Sequence, residues 1–387
     1  MIPYGHQDIT QADIDMVVEV LRSAYLTTGP AVTRFERDVA ALVRAKHAVA
    51  VSNATAALHI ACLALDLGPG DRLWTVPNTF VASANCGRYC GADVEFVDID
   101  PVTWNLSVPR LREKLADAKR RGHLPKVLVP VHFSGQPTEQ EAIWELSQEY
   151  GFRVLEDASH AIGASRNGEP VGSCRWSDIT VFSFHPVKII TTAEGGMTLT
   201  NDDGLAERLA LLRSHGITRA AGSLHAQFGS AAVPAWYYEQ QALGYNYRIT
   251  DLQAALGVSQ LTRLGQYVER RNALADRYEY ELAHLPLQLP TVTAGNRSSF
   301  HLFVVRVSEA ARQTRDQLFD ALRNRGIGVN MHYLPVHLQP YYRALGGRPG
   351  LCPESEAYAA TAMTLPLYPA LTDAQQDHVI NAVKELL

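Results

Sequence analysis

Short β-rich runs alternate with helical patterns between Ala48 and about Thr200, and this alternation restricts the fold more than any other feature of the chain. The runs fall at 49–52, 72–76, 94–97, 126–131, 153–156, 179–184 and 196–200. Between several of them lie helical patterns at 55–67, 81–89, 108–119 and 139–150. Gly68-Pro69-Gly70 stops the first of these and Gly151 closes the last. Such spacing predicts an α/β chain with a mainly parallel, seven-stranded sheet covered by helices on both faces. Ligands of open sheets of this kind sit beyond the carboxyl ends of the strands. No Gly-x-Gly-x-x-Gly follows the first run, which argues against a dinucleotide domain and a nicotinamide-dependent oxidoreductase.

Ahead of the alternating region, Thr10 and Asp13 form a plausible capping box, and Ile14, Val17, Val18 and Leu21 recur at helical spacing behind it. A Gly29-Pro30 loop then leads to a second amphipathic helix carrying Phe35, Val39, Leu42 and Val43. Beyond Gly216 the pattern loosens, and 217–235 reads as a long loop rich in Gly, Ala and Ser. A helix opens at Thr250 and runs, with a break, to about His284. A strand at 300–307, a helix at 313–325, a strand around Val329 and a last helix from Asp373 follow. The expected division is a large domain over 1–250 and a smaller C-terminal α/β domain over 251–387.

The 387 residues, 47% hydrophobic and 19% charged, suffice for a sizeable core in each part. A net charge of −5 gives electrostatics no case for nucleic acid, so an anionic substrate needs a local pocket. Of five cysteines only Cys86 and Cys90 are close, on one face of a helical pattern with no second Cys/His pair nearby, and no metal site is expected. An odd set of scattered thiols suits a reducing compartment. With a polar start and no long apolar window, the expectation is a soluble, cytoplasmic protein without a membrane span.

Three places on this frame carry chemistry. In Ser183-Phe184-His185-Pro186-Val187-Lys188-Ile189-Ile190, followed by Thr191-Thr192-Ala193-Glu194-Gly195-Gly196, one lysine stands between apolar blocks ahead of a Gly-Gly turn. A lysine of ordinary pKa, about 10.4, is protonated at neutral pH and a poor nucleophile, and apolar burial disfavours its charged form. That is the setting of a Schiff-base lysine. The run Phe152-Arg153-Val154-Leu155-Glu156-Asp157-Ala158-Ser159-His160 reads as a buried strand ending in a carboxylate, Asp157, where a ligand would meet it. The first strand runs into Asn53-Ala54-Thr55-Ala56-Ala57, a small-residue helix start whose hydroxyl and N–H groups suit a phosphate. Each alone reads equally as a surface lysine, a loop acid or a helix cap. Together, a phosphate holder, an acid for a ring nitrogen and an aldehyde-binding lysine are the requirements of pyridoxal 5′-phosphate, PLP.

Further blocks extend the pattern: Ile2-Pro3-Tyr4-Gly5, Leu26-Thr27-Thr28-Gly29-Pro30 and Pro77-Asn78-Thr79-Phe80-Val81-Ala82-Ser83-Ala84-Asn85. Later come Leu243-Gly244-Tyr245-Asn246-Tyr247-Arg248-Ile249-Thr250-Asp251 and Val329-Asn330-Met331-His332-Tyr333-Leu334-Pro335-Val336-His337. With these the chain resembles, along nearly its whole length, the DegT/DnrJ/EryC1/StrS family of PLP-dependent nucleotide-sugar aminotransferases, and within it the branch of pseudaminic acid synthesis. The resemblance implies the type I fold of PLP-dependent transferases, similar to aspartate aminotransferase. It implies that Lys188 forms the Schiff base and moves the proton, that Asp157 pairs with the pyridine nitrogen, and that His160 bonds the 3-oxygen. Phe80 would stack on the ring, and Thr55, Ala56 and Ser183 would hold the phosphate. Asn246 would reach the phosphate from a second subunit, making a homodimer with two shared sites. Tyr4, Thr27, His332 and Tyr333 would face the sugar nucleotide.

The implied reaction moves an amine from L-glutamate to C4 of a UDP-linked 4-keto-6-deoxy-N-acetylhexosamine, giving UDP-4-amino-4,6-dideoxy-N-acetyl-β-L-altrosamine. Dehydratases of the same family carry histidine where this chain has Lys188, which speaks against that reaction. A regulator built on the same fold would need a helix-turn-helix in front of it, and residues 1–30 are too few and not basic.

Overall fold

Each of the seven β-rich runs becomes a strand of a single sheet in the computed structural model, which describes residues 1–219 and 234–387. The strands are β1 (His47–Val51), β2 (Arg72–Thr75), β3 (Asp93–Phe96), β4 (Val127–Val129), β5 (Arg153–Asp157), β6 (Ile179–Ser183) and β7 (Gly196–Thr200). Their order across the sheet is β1-β7-β6-β5-β4-β2-β3. Only β7 runs against its neighbours, pairing antiparallel with both β1 and β6. The remaining pairs are parallel. The reversal has a local cause: no helix separates β6 from β7, and a chain that returns without a crossover must pair antiparallel.

Helices cover both faces. On one side α1 (Gln11–Leu21), α2 (Pro30–Val43), α8 (Asp251–Leu261) and the start of α9 (Leu264–Leu282) bury Phe35, Val39, Phe182, Phe184, Met197, Ala254 and Val258 in one cluster. On the other, α3 (Ala54–Ala64), α4 (Ala82–Tyr89) and α7 (Asp203–Arg213) close over Leu58, Leu73, Val127, Leu155, Val181 and Leu209. The helices α5 (Val108–Arg121) and α6 (Gln140–Tyr150) pack with Trp74, Leu128 and Val154. Strands β6 and β7 are buried throughout, as expected of strands covered on both faces.

The chain leaves this sheet along α9, after a break between Leu261 and Leu264. It then forms a smaller antiparallel sheet of β8 (Leu287–Gln288), β9 (Phe303–Val307) and β10 (Ala362–Leu365). Four helices accompany it: α10 (Arg315–Asn324), α11 (Pro340–Ala344), α12 (Pro353–Thr361) and α13 (Asp373–Leu386). The strand expected around Val329 is not formed; Asn330 makes only a single bridge, to Thr364. Most of the loop expected at 217–235 lies outside the described residues, and its near flanks pair as Ile217–Thr218 with Glu239–Gln240.

Two long-range ties fix the parts together. Arg271 of α9, fully buried, donates to the carbonyls of Phe300 (3.1 Å), His301 (3.3 Å) and Leu367 (3.0 Å). The N-terminal arm bridges to the smaller unit, where Ile2 N–H donates to Gly326 and Gly328 N–H to Ile2. Gly328 allows this approach, because a Cβ there would lie 2.8 Å from the Ile2 carbonyl oxygen.

A buried carboxylate also starts two helices at once. Asp251, in the first turn of α8, accepts the N–H groups of Gly29 (2.7 Å) and Ala31 (2.9 Å) at the start of α2. Those donors have no partner within their own helix, and the negative charge suits the positive end of its dipole. Asp251→Ala is expected to destabilise the chain by about 2 kcal/mol, read as a lower urea midpoint at unchanged slope. Asp251→Asn, which keeps an acceptor, is expected to lose less.

Candidate active site

Strand geometry brings the site together. The carboxyl ends of β1, β5 and β6 open onto one cleft of about 420 Å³, walled on its far side by 330–333 of the smaller unit. Tyr4, Thr55, Phe80, Asp157, His160, Ser183, Lys188, His332 and Tyr333 all line it. Ala56, Thr27 and Asn246 do not. Ala56 is buried and its N–H is taken by the Asn53 side chain at 2.8 Å, the N-cap of α3. Thr27 bridges to Thr250 and Asn246 to Ser214, and neither is among the residues that line the cleft. The N–H groups of Ala54 and Thr55 have no acceptor among the described residues.

Lys188 stands on the excursion between β6 and β7, where Phe184 N–H bonds to Gly195 and Thr192 N–H to Phe184. Gly196, the first residue of β7, abuts the start of α3: a Cβ on it would lie 2.5 Å from the Asn53 carbonyl carbon and 2.6 Å from Ala54 N. The lysine segment and the helix start are thus in backbone contact. Although part of its side chain opens to the cleft, burial of the Lys188 amine pushes its pKa down to about 8, against the opposing pull of Asp157.

Asp157 ends β5 and is buried. Its Oδ2 accepts the Ser83 hydroxyl at 2.6 Å and its Oδ1 the Ser159 N–H at 3.1 Å. The preceding residue, Glu156, projects to the opposite face, as alternation along a strand requires. There it accepts Gln140 (2.5 Å), Thr180 (2.7 Å) and Ser177 (3.1 Å), which anchors the end of the strand from behind.

Three buried histidines share the cleft with the amine. Burial, then Lys188 and His332, hold the His160 pKa well below its usual value. Burial and the Lys188 charge push His332 down to about 3. His301 is likewise well below its usual value, by burial first and then by Lys188. All three are neutral imidazoles. The Ser134 N–H meets His160 Nδ1 at 3.2 Å and can bond only to an unprotonated nitrogen. The ring proton of His160 therefore sits on Nε2, 3.3 Å from the Tyr333 hydroxyl. His332 Nδ1 lies 2.7 Å from the Thr364 hydroxyl. Phe80 projects a ring that is 58% exposed, with its centroid 6.3 Å from that of Tyr333.

Several lining residues were not singled out from the sequence, among them Asn53, Thr79, Ser159 and His301. His301 sits with its ring centroid 4.4 Å from that of His160, and its buried Nδ1 has no partner among the described residues. A histidine flanked by Phe300 and Leu302 at a strand entry carries no periodic signal of a site. Asn53 was legible as a helix cap, which it is.

This donor set fits PLP. It offers two unpaired N–H groups at a helix start beside the hydroxyls of Thr55 and Ser183, a buried carboxylate with both oxygens already oriented, and an amine held near neutrality. Similar proteins agree. SpsC of Bacillus subtilis, a spore coat polysaccharide biosynthesis protein, is 39% identical over 390 residues, spanning 100% of this chain and 97% of that protein. The PLP-form of Spr1654 from Streptococcus pneumoniae superposes with a TM-score of 0.87 at 29% identity, covering 100% of this chain and 99% of that one. PseC of Helicobacter pylori, an aminotransferase involved in the biosynthesis of pseudoaminic acid, gives a TM-score of 0.89 at 27% identity, with 100% and 98% covered. Residues 7–384 match the DegT/DnrJ/EryC1/StrS aminotransferase family, and the chain belongs to it as a PLP-dependent sugar aminotransferase.

Proposed function

We propose that the enzyme transfers the amine of L-glutamate to C4 of a UDP-linked 4-keto-6-deoxy-N-acetylhexosamine, forming UDP-4-amino-4,6-dideoxy-N-acetyl-β-L-altrosamine on the way to pseudaminic acid. The observation that carries the transamination is the Lys188 amine, buried to a pKa of about 8 in the cleft that also holds Asp157. The substrate rests on the likeness to PseC. A second reading, another sugar-nucleotide 4-aminotransferase of the same family, draws on the higher identity to SpsC, 39% against 27%.

PLP, when bound, supplies an aldehyde that exchanges the amine and a ring that takes up the electron pair of the deprotonated carbon. In this reading Asp157 holds the ring nitrogen, and Ser183, Thr55 and the start of α3 hold the phosphate. Phe80 covers one face of the ring and His160 offers its Nε2 proton to the 3-oxygen. Lys188 would hold the cofactor's aldehyde, and its neutral amine would serve as the base that moves the proton at the reacting carbon. Tyr4, His332 and Tyr333 line the sugar side, where neutral imidazoles bond hydroxyls without adding charge. Asn246, outside the cleft of its own chain, reaches the phosphate of a partner subunit, and the enzyme works as a homodimer with shared sites. The chain divides near residue 250, and its five free, buried cysteines suit the reducing cytoplasm.

Purified enzyme given the keto sugar and L-glutamate is expected to form 2-oxoglutarate and the amino sugar in equal amounts. Stereochemical analysis of products from a panel of UDP-4-keto sugars separates the two readings, and absence of 2-oxoglutarate with every acceptor would contradict both. Lys188→Ala is expected to lower turnover by a thousandfold or more, on the order of a general-base loss, and borohydride should no longer fix the cofactor to the chain.

A pKa near 8 leaves roughly a tenth of Lys188 neutral at pH 7, against well under a thousandth for an ordinary lysine. The neutral form gains as pH rises. The rate at which PLP reconstitutes the apoenzyme should therefore climb up to about pH 8 and level off above it. A rate still climbing at pH 10 would show the amine to be unperturbed.

A further inference from the structure

The segment between β2 and α4 was singled out as a motif, yet only Phe80 in it received a role. Two further side chains, Thr79 of that segment and Ser83 just beyond it, connect to the acid of the site. Ser83, in the first turn of α4, is fully buried, and Thr79 nearly so. Ser83 Oγ lies 2.6 Å from Asp157 Oδ2, and Thr79 Oγ1 lies 2.7 Å from Ser83 Oγ. The direction of these bonds follows from valence. An ionised carboxylate only accepts, so the Ser83 proton points at Asp157. The competing acceptor, the Phe80 carbonyl, is farther away at 3.3 Å and uncharged, and bonds to charged acceptors are the stronger ones. With its only proton committed, Ser83 Oγ can meet Thr79 solely as an acceptor. The chain therefore reads Thr79 to Ser83 to Asp157, two hydroxyl dipoles in series aimed at one oxygen.

This arrangement leaves Oδ2 with a fixed donor at the back of the cleft and Oδ1 tied to the Ser159 N–H. Without Ser83, Asp157 would keep one backbone tie and regain freedom about its last torsion. Because Phe80 lies on the same short segment, the residue facing the cleft and the residues steadying the acid are set by one piece of backbone.

We infer that Ser83, oriented by Thr79, is a positioning residue that fixes the Asp157 carboxylate for the cofactor's ring nitrogen. The inference rests on the reading that Asp157 meets that nitrogen, so the experiment carries a separate control for it. Ser83→Ala, Thr79→Val, the double variant and Asp157→Asn are compared with the unaltered chain. PLP affinity is read by equilibrium dialysis, and the bound cofactor's visible absorption is titrated against pH.

Ser83→Ala is expected to weaken PLP about tenfold, the loss of one hydrogen bond to a charged group, and to move the midpoint of the absorption titration. Thr79→Val should move both in the same direction by less. In the double variant Thr79→Val should add nothing to Ser83→Ala, because Thr79 acts only through Ser83. A role confined to packing would change the melting temperature of the apoprotein and leave the midpoint in place.

Affinity within about twofold of the unaltered chain at an unmoved midpoint in Ser83→Ala would overturn the inference, provided Asp157→Asn is impaired. So would single losses that multiply in the double variant. If Asp157→Asn itself binds and titrates like the unaltered chain, the reading of the acid falls instead.

Discussion

An amine and a carboxylate share the floor of one cleft, and the terms acting on the amine oppose each other. Desolvation drives Lys188 toward neutrality while Asp157 pulls it back toward the charged form, and desolvation prevails. Much of the surrounding construction serves that balance. The lysine segment is flanked by Phe184, Ile189 and Ile190, all buried in the core beneath the sheet. The histidines nearest the amine are themselves neutral, so no neighbouring cation competes for the acid. A cleft richer in permanent charge would hold an anionic ligand more easily and would also change the state of the Lys188 amine.

The cleft is assembled from three separate stretches of chain. The large sheet presents its strand ends, the smaller unit adds His301, His332 and Tyr333, and the N-terminal arm inserts Tyr4. Binding sites favour such seams, because each side contributes groups that its own core need not bury. Arg271 shows the cost that is accepted. A fully buried guanidinium without a counter-ion among the described residues bonds three carbonyls through one nitrogen, one of them that of His301, and leaves its Nε without a partner. Its pKa is pushed down to about 9 by burial alone. The middle of α9 is thereby held to the entry of β9 and the turn after β10 by directional contacts rather than by packing only.

Much of this was legible in the sequence, for identifiable reasons. The seven strands announced themselves because runs such as Ile179-Thr180-Val181-Phe182 are β-branched or aromatic and are bounded by breakers or helical patterns. Asp157 was read from the rule that ligands gather at strand ends, Lys188 from its apolar flanks and Thr55 from the small-residue helix start, whereas Ser183 came with the family resemblance. The smaller unit was read less well. Strand β10 begins directly after α12 with no glycine or proline between them, and its Ala-Met-Thr-Leu has little alternation. Val329 sits in an apolar stretch that looks like a strand, but its neighbour Asn330 pairs only once. Within the site, the Asn53 side chain takes the Ala56 N–H, a local contact that composition does not reveal. His301 and the hydroxyls behind Asp157 become visible only when segments far apart in sequence are folded onto one another.

The contact of Gly196 with Asn53 and Ala54 has a metric consequence. The stretch that carries the reactive nitrogen leaves its turn touching the peptide that begins the anion cradle, with no side chain between them. In the proposed reading, the separation of the cofactor's two attachment points is thus ruled by main chain against main chain. Any residue larger than glycine at 196 would act as a wedge, pushing the Lys188 stretch away from the start of α3.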